Sequence, residues 1–264
     1  MSLLVGAMLV VGGAVAGAVS AQFGRRSVQA NFAGPETYDA RFHYCRAAFR
    51  GGGNGGWLTD YPLADIDLSI RLAELTKTPV SFDPGGRPRH LIVRLTDETL
   101  YQCPIILMQE VGRLFFAARD AAALRDYLLK GGFLWVDDFW GTYAWNSWVA
   151  QIRKAFPPDE FPIVDLPITH PMFRTQFDMT RVPQIPGIGF WRNTGRTSEQ
   201  GADSAQVHAR GIFDRKGRLI VFMTHNTDIS DSWEREGEDE RYFFQFSVDG
   251  YKLAVNVLLY AMSH

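Results

Sequence analysis

The sequence lacks several features that would assign the chain to a common functional class. It has two cysteines among 264 residues, without the paired Cys or Cys-His spacing of a zinc site, and it contains no His-Glu-x-x-His motif. It has no basic block either, because 27 Lys and Arg residues are mixed with 29 Asp and Glu residues. A nucleic-acid-binding protein would need such a block. We therefore predict neither nucleic-acid binding nor a common zinc hydrolase.

The two cysteines, Cys45 and Cys103, both lie in apolar stretches of the sequence. Buried free thiols are the usual case in such stretches, and a single disulfide is the alternative. The sequence leaves both states open.

The N-terminal segment has no charged side chain before Arg25. Its apolar run ends in Val19-Ser20-Ala21, which is typical of a secretory signal, and we expect a periplasmic or other extracytoplasmic location. The alternative is a retained membrane anchor, because no basic residue precedes the run and Arg25 and Arg26 follow it. We therefore divide the chain into a signal peptide or anchor at 1–21, a linker at 22–37 and one domain at 38–264.

From Tyr38 onward, strand-like and helix-like segments alternate along the sequence. This alternation predicts an α/β domain with a mainly parallel sheet. The predicted strands are 40–49, 90–95, 104–108 and 133–136, with a hairpin at 207–214 and 218–224. The predicted helices are 60–75, 117–130, 142–156 and one from 247, with long loops at 159–203.

Polar residues follow four of the predicted strands. They are Thr96-Asp97, Gln109-Glu110, Asp137-Asp138 and His225-Asn226-Thr227-Asp228. Because parallel strands end at the same edge of a sheet, we expect these side chains to share one crevice. The alternative is that they are ordinary turn and helix-cap residues.

Asp137, Asp138 and His225 are the predicted catalytic residues. With Asp228 they offer oxygen and imidazole ligands for a divalent metal such as Mn, Zn or Fe, and an Asp-His pair also suits general acid-base catalysis. The sequence does not decide between these uses, so the metal stays undetermined. The turn after the fourth strand contains no Ser or Cys nucleophile.

Further polar and aromatic side chains are predicted to bind a ligand at the same edge. They are Trp57, Asp60, Asp97, Trp140, His170, Asn226, Asp228 and Trp233. Two interpretations of Trp233 and its neighbouring acids stay open: a lid over this edge, or packing of Trp233 on the sheet edge with the acids solvating a loop, which is the more frequent outcome for such runs. Residues 51–56 match the Gly-x-Gly-x-x-Gly pattern only as a glycine run, and we predict a flexible loop there rather than a dinucleotide site.

Five motifs together resemble a known family. They are GWLTDYPLAD (56–65), LTDETL (95–100), GGFLWVDDFWG (131–141), THPMF (169–173) and HNTDISDSWE (225–234). In this order they resemble the domain-of-unknown-function family 4159, which is placed near the class I glutamine amidotransferase-like proteins. The resemblance implies a flavodoxin-like three-layer sandwich and no particular activity. Asp137 and Asp138 stand where catalytic amidotransferases have a cysteine, so glutamine hydrolysis is not implied.

Three functions are consistent with these observations. The first is an extracytoplasmic domain that binds a small polar ligand, such as a sugar or peptide fragment, at the carboxyl ends of the strands. The second is a hydrolase in which Asp137 or Asp138 and His225 act as acid and base or as metal ligands. The third is a non-catalytic module that binds a protein partner in the cell envelope, attached to the membrane if the N-terminal segment is uncleaved.

Overall fold

A seven-stranded sheet forms the centre of the fold. The computed structural model describes residues 30, 32–51 and 56–264, and Asn31–His264 form one structural unit. Nine strands lie in this region: β1 (Tyr44–Ala48), β2 (Arg50–Gly51), β3 (His90–Arg94), β4 (Ile105–Gln109), β5 (Leu114–Phe115), β6 (Phe133–Asp137), β7 (Ile163–Asp165), β8 (His208–Phe213) and β9 (Leu219–His225). The large sheet has the order β3-β1-β4-β6-β9-β8-β7, and β2 pairs with β5 separately.

The first five strands of that order are parallel, and β8 and β7 continue the sheet in antiparallel pairs. The chain passes from β1 outward to β3 and then returns to the other side of β1 to form β4. The strand order therefore reverses between β1 and β4, which is where a crevice opens beyond the carboxyl ends of parallel strands. We call the edge where the parallel strands end the carboxyl edge.

Helices cover both faces of the sheet. They are α1 (Leu63–Leu75), α2 (Ala118–Leu129), α3 (Gly141–Ile152), α4 (Ile188–Thr194), α5 (Asp231–Glu234), α6 (Glu240–Tyr242) and α7 (Val248–Ser263). Apolar side chains of α1 and α7 belong to the core on one face, and those of α2 and α3 belong to the core on the other. Strand residues alternate between these cores: Phe133 and Trp135 face the first, and Leu134 and Val136 face the second. This is the period-two pattern of a sheet buried on both sides.

The structure confirms an α/β fold with a mostly parallel sheet, and most predicted elements are present with shifted ends. Helix α3 ends four residues before the predicted Phe156, and the first strand begins at Tyr44 rather than Ala40. The region predicted as long loops contains the short strand β7 and the short helix α4. On the N-terminal side, Phe32 forms a parallel bridge with Ile92 in β3, so the packed domain extends further back than Tyr38.

Cys45 and Cys103 form a disulfide, which decides between the two states that the sequence leaves open. Cys45 lies in β1 and Cys103 directly precedes the neighbouring strand β4, with Cα atoms 6.1 Å apart. The usual expectation of free thiols fails here because two adjacent strands bring distant cysteines together.

The predicted signal peptide or anchor at 1–21 lies outside the described residues. Within the region that the structure describes, no helix combines the length and apolar character needed to cross a membrane.

Candidate ligand-binding site

Asp137 is held at the end of β6 by donors from β9 and the segment after it. The Thr224 hydroxyl donates to Oδ1 at 2.5 Å, and the Ser230 amide donates to Oδ2 at 3.0 Å. Burial raises the pKa of Asp137 to about 7, while these donors act in the opposite direction. Asp137 is therefore a carboxyl group whose charge changes near neutral pH.

Ser230 connects Asp137 to two further carboxyl groups. Its hydroxyl oxygen lies 2.9 Å from Asp228 Oδ1, 3.2 Å from Asp60 Oδ2 and 3.3 Å from Asp137 Oδ2. One hydroxyl proton serves only one acceptor at a time. Burial, followed by the charges of Asp138 and Asp60, raises the pKa of Asp228 well above its ordinary value. Asp137 and Asp228 therefore retain protons at a pH where exposed carboxyl groups are ionised.

Arg46 is the buried cation beside these acids. Its guanidinium forms an ion pair with Asp65 and donates to Gln109 and to two backbone carbonyl groups of the segment before α1. Gln109 in turn donates to Asp60 Oδ2 at 3.1 Å. Because Asp65 already neutralises Arg46, the remaining acids have no full counter-charge from it.

Asp138 lies in the wall of a cavity of about 280 Å³ at the ends of β4 and β6. Glu110 and Glu199 add two more carboxyl groups to this wall, and Trp140 and Tyr143 add aromatic rings. We call this space the acidic cavity. Trp140 Nε1 donates to Asp138 Oδ1 at 3.1 Å, while Tyr143 is 72% exposed.

Two acids of the cavity, Asp138 and Glu199, have a raised pKa. Burial is the largest cause of the strongly raised pKa of Asp138, and the charges of Asp60 and Glu110 add to it. Burial also raises the pKa of Glu199. A cation that entered the cavity would stabilise the ionised forms of these groups.

The backbone around the cavity contains unusual conformations. Four of the five non-glycine residues with positive φ among those described are Asp60, Glu110, Asp138 and Asn226, at +61°, +49°, +53° and +65°. Backbone hydrogen bonds stabilise three of these residues. The Glu110 amide donates to the Asp138 carbonyl at 3.1 Å, and the Asn226 amide donates to the Phe139 carbonyl at 3.0 Å. Such conformations cluster at ligand-binding sites.

His225 does not contact the aspartates with which it was predicted to act. Its Nε2 lies 3.1 Å from the Gly141 carbonyl oxygen, and its Nδ1 lies 3.4 Å from Arg210 Nη1. Its ring packs against Phe139 and Trp145, with centroids 4.9 and 5.2 Å away. Burial lowers the pKa of His225 to about 4. His225 is therefore a neutral side chain that holds the start of α3 against β9.

Asn226 also holds the backbone at this edge. Its Oδ1 accepts from the Gly141 amide at 2.8 Å, and its Nδ2 donates to the Gln206 carbonyl at 2.7 Å. Both ends of the side-chain amide are therefore used in positioning α3 and the loop before β8.

Trp233 lies in the core rather than in a lid. It is fully buried, and its ring lies 6.0 Å from Trp135 and 6.2 Å from Tyr251. The alternative, packing on the sheet, is therefore the one that the structure supports. Its ring is packed in the core and offers no surface to a ligand.

Three other predicted residues lie away from the acids. His170 packs 5.5 Å from Tyr260 and 5.9 Å from Phe213, at the opposite edge of the sheet. Asp97 accepts from the Arg94 amide at 3.0 Å in the turn after the outermost strand. Trp57 lines a separate cavity at the ends of β1 and β3.

Asp60, Asp231 and Glu234 form the group of described residues with distances suited to a metal ion. One oxygen atom from each lies within 4.8 Å of the others. Burial, followed by the charge of Asp60, raises the pKa of Asp231 to about 6 and that of Glu234 to about 9. This trio differs from the predicted set of Asp137, Asp138, Asp228 and His225, because α5 rather than β9 supplies two of its members.

Sequence reasoning missed Arg46, Glu199 and Tyr143 as site residues. The sequence does give an indication for Arg46, because a charged residue inside an apolar strand needs a buried partner. The sequence gives no such indication for Glu199, which lies in a long irregular segment, or for Tyr143, which lies on an exposed helix turn.

Comparison with known proteins identifies a family. No curated protein matches the chain. The family model described as Domain of unknown function (DUF4159) matches residues 41–262. This range contains Asp60, Asp137 and Asp228 and every residue that lines the acidic cavity. The chain belongs to this family.

Proposed function

We propose that the domain binds a small polar ligand that carries an amino group, such as an amino sugar or the amino end of a short peptide, in the acidic cavity. The observation that carries this proposal is the convergence of Glu110, Asp138 and Glu199 on one cavity. An ammonium group placed there would lower the cost of ionising these acids. The rings of Trp140 and Tyr143 offer it cation–π contacts and apolar surface.

Charge selects the ligand class. Arg113 is the basic residue in the wall, against three carboxyl groups. An anionic ligand would add repulsion to a site that already holds raised carboxyl pKa values. A neutral sugar would gain hydrogen bonds but would leave the charge uncompensated.

Two further observations support an extracytoplasmic, amidotransferase-like domain. The Cys45–Cys103 disulfide is typical of oxidising compartments outside the cytoplasm. The five parallel strands have the chain order 2-1-3-4-5, which is the flavodoxin-like order.

Calorimetric titration with three sugars of one ring type tests the proposal. We expect binding of glucosamine, weaker binding of glucose and no binding of glucuronate at pH 7. Asp138→Asn should weaken glucosamine binding about tenfold or more, because a charge-assisted contact is lost. Asn keeps an acceptor for Trp140 and tolerates the positive φ at this position.

Asp159→Asn is the matched control, since Asp159 is an exposed carboxyl group outside the cavity. It should bind glucosamine like the unaltered protein. Equal affinity for all three sugars, or no effect of Asp138→Asn, would contradict the proposal. Absence of binding would favour the non-catalytic module that recognises an envelope protein.

A second candidate is a hydrolase that uses a divalent cation at Asp60, Asp231 and Glu234. The trio is close enough to ligate one ion. The Tyr44 hydroxyl is buried without a hydrogen-bond partner among the described residues and interacts electrostatically with Asp60. A bound ion would supply a Lewis acid and an activated water.

Elemental analysis of the purified protein tests this second candidate. Near-stoichiometric metal that is lost in Glu234→Gln and kept in Glu240→Gln would support it. Glu240 is an exposed acid a few residues away, which makes it a suitable control. Metal-free protein after incubation with Mg²⁺, Mn²⁺ and Zn²⁺ would contradict the candidate.

A further inference from the structure

A second cavity opens at the carboxyl edge, between the ends of β1 and β3 and the first turn of α2. Its volume is about 300 Å³. Three arginines (Arg50, Arg94 and Arg119) and two half-buried rings (Phe32 and Trp57) lie in its wall. We call it the basic cavity. Neither the predicted function nor the family match gives it a role.

Positive charge exceeds negative charge in this cavity. Arg50 lies 3.0 Å from Asp120 and Arg119 lies 3.7 Å from the same carboxylate, while Arg94 lies 3.6 Å from Asp97. Three guanidinium groups therefore share two carboxylates. One of these, Asp120, also accepts from the Ala117 amide at the start of α2 at 2.9 Å.

The guanidinium groups are available to a ligand. The side chains of Arg50, Arg94 and Arg119 are 56%, 57% and 75% exposed. An arginine keeps its charge over the whole physiological range and can bind a carboxylate or phosphate through two parallel hydrogen bonds. The positive end of the α2 dipole lies in the same wall and acts in the same direction.

The floor of the cavity is aromatic. The rings of Phe32 and Trp57 meet edge to face with centroids 5.9 Å apart, and the Arg94 guanidinium lies 4.0 Å from the centroid of Phe32. Phe49 and Phe116 close the floor from the core side. An apolar or planar body would therefore find a matching surface beside the charged groups.

We infer that the basic cavity binds an organic anion with a planar apolar body. Its carboxylate or phosphate group contacts Arg94 and Arg119, and its body lies on Phe32 and Trp57. Strong binding needs both parts of the wall. A small inorganic anion makes no contact with the aromatic floor, and a neutral aromatic molecule makes no ion pair with the arginines.

Calorimetry with four probes tests this inference. We expect 2-naphthoate or 2-naphthyl phosphate to bind, and the stronger of the two identifies the anionic group. The neutral 2-naphthol and inorganic phosphate should each bind at least about tenfold more weakly, because each lacks one half of the contacts.

Three variants locate the site. Arg94→Gln and Arg119→Gln should each weaken anion binding about tenfold, and Phe32→Leu should weaken the naphthyl anion while leaving inorganic phosphate unchanged. Arg174→Gln, at an exposed arginine elsewhere on the surface, should bind like the unaltered protein. Melting temperatures of all variants show whether they fold.

The inference stands apart from the proposed function. Asp138→Asn should leave naphthyl-anion binding unchanged, and Arg119→Gln should leave glucosamine binding unchanged. No anion binding at millimolar concentration, equal binding of 2-naphthol, or full binding by folded Arg94→Gln and Arg119→Gln proteins would overturn it.

Discussion

The acidic and basic cavities lie at the same edge of one sheet and have similar volumes, about 280 and 300 Å³, yet they carry opposite charge. The charge of the acidic cavity rests on groups such as Asp138, whose pKa burial raises, so it changes with pH. The charge of the basic cavity rests on three exposed arginines, and arginine is the side chain that proteins use for a permanent positive charge. The comparison teaches that the strand order sets where ligands bind, while burial decides whether a site responds to pH.

Arg46 lies between the two cavities, and removing it should have the largest effect. Arg46→Met leaves Asp65 buried without its partner and removes the donor to the backbone carbonyl groups of Trp57 and Thr59. We expect a loss of about 3 to 5 kcal/mol in the free energy of unfolding, the usual cost of breaking a buried ion pair. Urea denaturation measures it. The double variant with Asp65→Asn should recover part of the loss, and a loss below about 1 kcal/mol for the single variant would refute this role.

The Cys45–Cys103 disulfide should stabilise the fold nearly as strongly as Arg46 does. Cys45 and Cys103 are 58 residues apart in sequence, and closing a loop of that length stabilises a fold by roughly 4 kcal/mol in the chain-entropy model. The Cys45→Ala/Cys103→Ala protein should therefore melt at a lower temperature. Where it stays folded, glucosamine binding should persist, because neither cysteine lines the acidic cavity. An unchanged melting temperature would show that the cross-link adds no stability.

Asp138→Asn should change how the stability of the protein depends on pH. Asp138 has a raised pKa in the folded protein, so the folded state holds its proton more tightly and the unaltered protein loses stability as pH rises above the unfolded value near 3.9. Asn removes that loss. The variant should be more stable than the unaltered protein at pH 8, by about 0.5 to 3 kcal/mol, and similar at pH 4.

The control for this comparison is Arg174→Gln, at an exposed arginine away from both cavities, whose stability difference should not vary between pH 4 and pH 8. A gain in Asp138→Asn that is equal at both pH values would indicate a packing effect instead of relief of a buried charge.

Tyr143→Ala should have the smallest effect on stability. The side chain is 72% exposed, so we expect a change within about 0.5 kcal/mol. It should nevertheless weaken glucosamine binding severalfold through lost cation–π contact, with naphthyl-anion binding unchanged. Stronger destabilisation, or equal loss in both cavities, would show that the two sites are not independent.

The fold could be predicted because its signals are local. The apolar runs of β3 and β6 and the leucine spacing of α1 identify elements without any knowledge of their partners. The carboxyl edge followed from topology, since Asp137 ends a parallel strand and Asp138 and Asp228 come after one.

The details of the site depend on partners that the sequence does not reveal. The neutral state of His225 follows from the rings of Phe139 and Trp145, which α3 and the turn before it bring against β9. Trp233 looked like a lid residue because its neighbours are acidic, but those acids point toward Asp60 while the ring enters the core. His170 shows the same limit, because its motif gives no indication of which sheet edge the loop reaches.

Proton release on binding tests the central claim most directly. Glucosamine should be titrated into the unaltered protein and Asp138→Asn at pH 7 in two buffers of different ionisation enthalpy. We predict tighter binding and net proton release for the unaltered protein, because the ammonium group ionises Asp138, and much less release for the variant. Equal affinity with equal proton exchange in both proteins would contradict a ligand site built on the carboxyl groups of the acidic cavity.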